Sequence, residues 1–146
     1  MEQLDIDLRN ATYRRFVELG RAPTPDEIAE TMRMTADAVA EGWRRLHDAH
    51  AVVLDPSGSI AMLNPFSAVP TPFRVEAAGR SWFANCGWDA FGIGAALGVE
   101  SVIHTTCADC SEPMTIEVRG GLPVDASPLF HVLMPAAQWW DNIGFT

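Results

Sequence analysis

Apolar positions in the first half of the chain recur at helical spacing. Between residues 5 and 20, Leu8, Ala11, Tyr13, Phe16, Val17 and Leu19 share most of one helical face, and Gly20 is placed to end the helix. The next segment, APTPDEIAETM, carries Thr24 and Glu27 at capping-box spacing with Pro25 at the first helical position, so that Ile28, Ala29 and Met32 face inward. Thr35 is the expected cap of a third helix, along which Val39, Trp43, Leu46 and His50 follow at steps of four, three and four. AVVLDPSGSIAML then reads as a hairpin, two apolar runs around Asp55-Pro56-Ser57-Gly58.

Three helices and a hairpin in that order predict a winged-helix-like domain over residues 1–63. Tyr13 is expected to anchor its first helix to the second domain. NPFSAVPTP, residues 64–72, holds three prolines and reads as a linker or an extended crossing segment. FRVEAAGRSWFAN is expected as two short strands around Ala78-Gly79. An apolar helix comes next and stops at Gly98. VESVIHTT and MTIEVRG are strands on either side of a CADCSEP turn, and SPLFHVLMP is expected as a further strand. The predicted class is α+β: a winged-helix-like domain, then a small, mostly antiparallel sheet domain with one buried helix over residues 73–146. Trp139 and Trp140 suit a core edge or the wall of an apolar pocket. Met62, Met114 and Met134 suit core strands, and His47 and His50 suit packing or solvent.

Charge removes the usual function of a winged helix. The 146 residues carry a net charge of −9 and no lysine; residues 1–63 contribute −4 and the remainder −5. The outward positions of the third helix, Asp37, Glu41, Arg44, Arg45 and Asp48, hold more negative than positive charge, which does not suit a phosphate backbone. A structural or dimerising module is the expectation, with no nucleic acid and no anionic membrane as partner. No run of eighteen apolar residues occurs, and MEQLDIDLRNATYRR begins acidic without an apolar stretch, so a cytoplasmic location is expected.

Three cysteines, Cys86, Cys107 and Cys110, make an odd set that reads as thiol chemistry or metal binding rather than a disulfide framework. Asn85 is expected to cap the apolar helix, placing Cys86 in its first turn, where the helix end lowers a thiol pKa. Asp89 stands three residues on, along the same face. A thiolate beside a carboxylate can hold a soft metal and move a proton. The plainer alternative is a cysteine buried as a small hydrophobe, against which stands the cost of a lone carboxylate on an apolar helix. Cys107-Ala108-Asp109-Cys110 has the spacing of half a zinc knuckle, with only His104, His131 and Cys86 to complete a set of four. The alternative is an inert turn.

SWFANCGWDAFGIGAALG followed by VESVIHTTCADCSEPMTIEV resembles the core of the organomercurial (alkylmercury) lyase family, over residues 73–119. The N-terminal region agrees with that family in the order of its elements. The resemblance implies a winged-helix-like domain that does not act on DNA, and protonolysis of carbon–mercury bonds. Cys86 would be the first thiolate on mercury and Asp89 the proton carrier, giving a hydrocarbon and Hg(II) held by sulfur. It implies a small organometallic substrate, low-molecular-weight thiols that carry mercury away, and no organic cofactor, and it leaves a homodimer open. It makes Cys107 a buried structural cysteine of the hairpin and assigns no role to Cys110. As metal ligands the sequence offers Cys86, Cys107 and Cys110. The family's second active-site cysteine, expected on a later strand, has no counterpart after Cys110, so the chain is read as a C-terminally short form. Two other readings stand beside the lyase: a non-catalytic binder of mercury or another thiophilic metal or organometal, and a winged-helix metal-responsive regulator.

Overall fold

The computed structural model describes residues 2–129, 131–132 and 134–144. It divides into two compact units, Met1–Pro70 and Thr71–Thr146. In the first, α1 (Gln3–Leu19), α2 (Pro25–Met32) and α3 (Ala36–Asp48) precede the short strands β1 (Val53–Leu54), β2 (Ile60–Leu63) and β3 (Phe66–Ser67). The helix ends obey the local signals. Gly20 takes φ +69 and returns its N–H to the Phe16 carbonyl oxygen. Thr24 and Glu27 close both halves of the capping box, and the Thr35 hydroxyl accepts from the Ala38 N–H. The wing turn is built on Asp55, whose Oδ1 accepts from the backbone of Ser57 and Ser59.

Leu8, Phe16, Ile28, Val39, Trp43, Leu46 and Leu63 are almost wholly excluded from solvent and form the core of this unit. Each contributes on the order of 1.5–3 kcal/mol by leaving water. Trp43 satisfies its indole N–H inside that core by donating to Thr12 Oγ1 at 3.0 Å, and Thr12 donates onward to the Leu8 carbonyl oxygen at 2.8 Å. His47 is not a free surface residue: its Nδ1 accepts from the Leu54 N–H at 3.3 Å and ties α3 to the wing. The stretch 64–72, expected as a linker or an extended crossing segment, is extended in part: Phe66–Ser67 pairs with β2 in the register Leu63↔Phe66, and the Phe66 ring centroid lies 5.4 Å from that of Phe16. The Tyr13 hydroxyl donates to the Asn64 carbonyl oxygen at 2.7 Å.

The second unit holds β4 (Arg74–Ala77), β5 (Arg80–Ala84), α4 (Gly87–Leu97), β6 (Ser101–Thr106), β7 (Pro113–Arg119), β8 (Leu122–Pro123) and a 3₁₀ segment, Ala136–Asn142. All strand pairs are antiparallel, in the order β5-β4-β6-β7-β8. Register puts Trp82, Val75, Ile103 and Ile116 in one row across four strands. In an antiparallel sheet such a row shares a face, and α4 packs on β4, β5 and β6. α4 is not buried all round: Ala90 and Ile93 are enclosed, while Trp88 is 65% exposed. Among the described positions of 127–135, none is strand, contrary to the reading of SPLFHVLMP; Phe130 and Leu133 lie outside the described residues. Trp139 and Trp140 are half-buried, and the Trp139 indole N–H donates to the Met134 carbonyl oxygen at 3.0 Å.

Candidate active site at the start of α4

β5 ends at Ala84, and its last turn of chain is pinned from two directions. The Ala84 N–H donates to the Phe73 carbonyl oxygen at 2.9 Å, and its own carbonyl oxygen accepts from Thr71 Oγ1 at 2.6 Å. Two residues later α4 begins. The residue at the N-cap position is Cys86 itself, with extended backbone at φ −151, and its carbonyl oxygen receives the Ala90 N–H. Asn85 therefore does not cap the helix as expected. Its side-chain amide reaches forward instead and donates to Asp89 Oδ2 at 2.9 Å. The sequence reading missed this bond and the role of Thr71. An amide four residues before a lone carboxylate was a local signal for the first, whereas the second depends on strand register.

Cys86 and Asp89 are both half-buried. Burial pushes the Cys86 thiol above its ordinary pKa of 9.0; the backbone amides of Asp89 and Trp88 pull it down, and the Asp89 charge pushes it up again. The expected lowering by the helix start is thus overturned, because desolvation outweighs the amide dipoles at this depth. Burial also raises the Asp89 carboxyl above its ordinary value, against the pull of the Asn85 amide. The site pairs a protonated soft donor with a carboxyl poised above the usual aspartate range.

β5 and β6 flank β4 and run in the same direction, so the residues just past their ends, Cys86 and Cys107, lie at one end of the sheet. Their strands are two spacings apart, about 10 Å. Among the described residues, no three His, Cys, Asp or Glu side chains gather as a group able to hold a metal ion. Cys86, Cys107 and Cys110 are therefore not one ligand set. Cys107 is half-buried rather than enclosed in the hairpin, and Cys110 is exposed. The backbone amides of Cys110 and Asp109, together with the Cys110 thiol, hold Cys107 below its ordinary pKa. An apolar groove of about 680 Å³ runs past Trp88, Phe91 and Val118, and neither Cys86 nor Asp89 lines it.

Comparison with known proteins adds two findings. The family model described as alkylmercury lyase, MerB, matches residues 66–146, a span that includes β4 through the 3₁₀ segment and all three cysteines. A solved structure titled as the mercury-bound form of MerB2 resembles the fold with a TM-score of 0.67 at 22% identity, over 86% of this chain and 60% of that one. The chain thus spans about three-fifths of that protein's length. A comparison with curated proteins finds no significant match.

Proposed function

The chain belongs to the alkylmercury lyase family, and from that premise we propose that its second unit cleaves carbon–mercury bonds by protonolysis at Cys86 and Asp89. The observation that carries this reading is the placement of one thiol at the N-cap of α4 and one carboxylate in its first turn, each half-buried. Mercury is soft and takes thiolate sulfur in preference to oxygen. The organomercurial cation R–Hg⁺ displaces the Cys86 proton, which passes to the Asp89 carboxylate, and an S–Hg bond forms. Asp89 then delivers that proton to the carbon as the C–Hg bond breaks. The electron pair of that bond becomes the new C–H bond, leaving R–H and Hg(II) on sulfur. Low-molecular-weight thiols remove the mercury by exchange. Asn85 holds the carboxylate in place through the 2.9 Å bond to Oδ2. No organic cofactor enters the scheme, and the acidic first unit plays no part in binding DNA.

The test is methane release from methylmercury with excess free thiol, read by headspace gas chromatography. Wild type is expected to turn over more than once. Cys86→Ser should release none, and Asp89→Ala should fall by roughly 10²–10⁴, the span of a lost general acid. One specific observation favours a second reading, capture without cleavage: among the described residues no second cysteine joins Cys86 and Asp89 in a group able to hold a metal ion. Mercury retained by wild type but not by Cys86→Ser, with no methane from either, would overturn the lyase reading in favour of that one.

A further inference from the structure

The β6–β7 turn carries two thiols that this scheme leaves unused. Cys107 comes directly after β6, its N–H donates to the Glu112 carbonyl oxygen at 2.9 Å, and its carbonyl oxygen accepts from the Ser111 N–H at 2.9 Å. Those two bonds close a tight loop over residues 107–112. Ser111 takes φ +60, a left-handed conformation that a non-glycine residue adopts at a cost of about 1–2 kcal/mol. The loop carries Cys110 three residues after Cys107 on one tight turn, closed by backbone bonds at both ends. Two thiols held on one tight turn at C-x-x-C spacing form a two-point donor. It is open to solvent, since Cys110 is exposed and Cys107 only half covered.

We propose that Cys107 and Cys110 form a two-sulfur chelate for a thiophilic cation, Hg(II) in particular, separate from the Cys86 site. Among the described residues no third His, Cys, Asp or Glu joins the pair. That suits a cation satisfied by two sulfurs better than zinc, whose structural sites take four ligands. In binding, Hg²⁺ replaces both thiol protons. Two S–H bonds break, two S–Hg bonds form, two protons go to solvent, and no electrons are transferred.

The experiment uses the full chain in the Cys86→Ser background, so its outcome does not depend on the lyase reading. Reduced, desalted Cys86→Ser and Cys86→Ser/Cys110→Ser proteins are loaded with mercuric chloride against excess glutathione. Each is passed through a desalting column and assayed for mercury and free thiols, with circular dichroism as the check on folding. Cys86→Ser should retain one mercury per chain with neither remaining thiol reactive. The double variant should bind roughly 100-fold more weakly, because the second sulfur no longer binds intramolecularly. Equal retention by the two proteins would overturn the proposal, as would a Cys86→Ser protein that keeps two reactive thiols and no mercury. Rapid closure of the pair to a disulfide that excludes mercury would also overturn it.

Discussion

Gly94 lies in the middle of α4, where alanine would ordinarily strengthen a helix by about 1 kcal/mol. At this position the opposite is expected. A Cβ on Gly94 would meet Ser101 Oγ at 2.6 Å, Ser101 Cβ at 3.1 Å and the Val99 carbonyl oxygen at 3.3 Å. Ser101 is 4% exposed and heads β6, held by pairing with Ala77 on one side and Val118 on the other. Rotating the hydroxyl removes only the first of the three contacts; the other two involve atoms fixed by the sheet and by the turn after α4. Overpacking costs roughly 1–3 kcal/mol, and with two of the three contacts made to fixed atoms the upper part of that range, about 2–3 kcal/mol, applies here. Set against the propensity gain, Gly94→Ala should destabilise the second unit by about 1–2 kcal/mol. For a unit of this size that lowers the melting temperature by roughly 4–16 °C. Thermal unfolding followed by far-ultraviolet circular dichroism reads the shift directly. Gly94→Ala/Ser101→Ala, which removes the nearest atom, should recover part of it. A Gly94→Ala protein as stable as wild type, or more so, would refute the close seating of α4 on β6, and with it the argument that the sheet fixes the position of Cys86 and Asp89.

Other perturbations test other joints. Trp43→Phe removes the donor to Thr12 and leaves unfilled space in the core of the first unit; a loss of about 2–3 kcal/mol by urea denaturation is expected. Asp5 is buried and is held below its ordinary pKa chiefly by its hydrogen bond to Arg45, whose Nη2 lies 2.8 Å away. That pair therefore stabilises the fold above pH 3.8, and the contribution disappears as pH falls through the lowered value. Arg45→Met should lower the melting temperature at neutral pH and flatten its decline in acid. Asp89 has the opposite sign: its pKa is raised by burial, so ionisation costs stability as pH rises through the raised value. Asp89→Asn should melt higher than wild type at neutral pH, lose that advantage below pH 3.8, and release no methane. A neutral-pH melting temperature below wild type would refute the desolvation account.

What was legible in the sequence was whatever depended on near neighbours. Thr24 and Glu27 are three residues apart, and Gly20 and Gly98 stop their helices within a single turn, so those boundaries came from the chain itself. The strands β4 to β7 alternate or are rich in β-branched residues around turn formers, whereas their register came only with the structure. Strand β3 was hidden because Phe66 is held by a ring 50 residues away, Phe16, while the prolines around it suited a linker or an extended crossing segment. The candidate site divides along the same line. Cys86 and Asp89 could be picked out by spacing, but the cap was misplaced by one residue: Asn85 is of the type that caps helices, and only its 2.9 Å bond to Asp89 shows that its amide turns forward instead. The direction of the thiol shift was not legible at all. A helix start argues for lowering, depth argues for raising, and depth is a property of the folded unit.

The two upward shifts are compatible with the proposed reaction and bear on how it would divide its labour. A thiol that burial keeps protonated is a poor free nucleophile. Mercury does not need one, because a soft cation displaces the proton as the S–Hg bond forms. The displaced proton then needs an acceptor within reach. Asp89, in the first turn of the same helix and raised by the same burial, is a stronger base than an aspartate in water. Once protonated it loses the charge that the site desolvates at a cost, and it becomes the acid that the carbon requires. Capture at Cys86 removes from the thiol the possibility of a negative charge beside Asp89, one of the causes that raise the thiol in the free protein. Burial that opposes either ionisation alone thus favours the paired state, with metal on sulfur and proton on carboxyl. In this scheme the depth of the α4 start, more than its dipole, is what sets the chemistry of the pair.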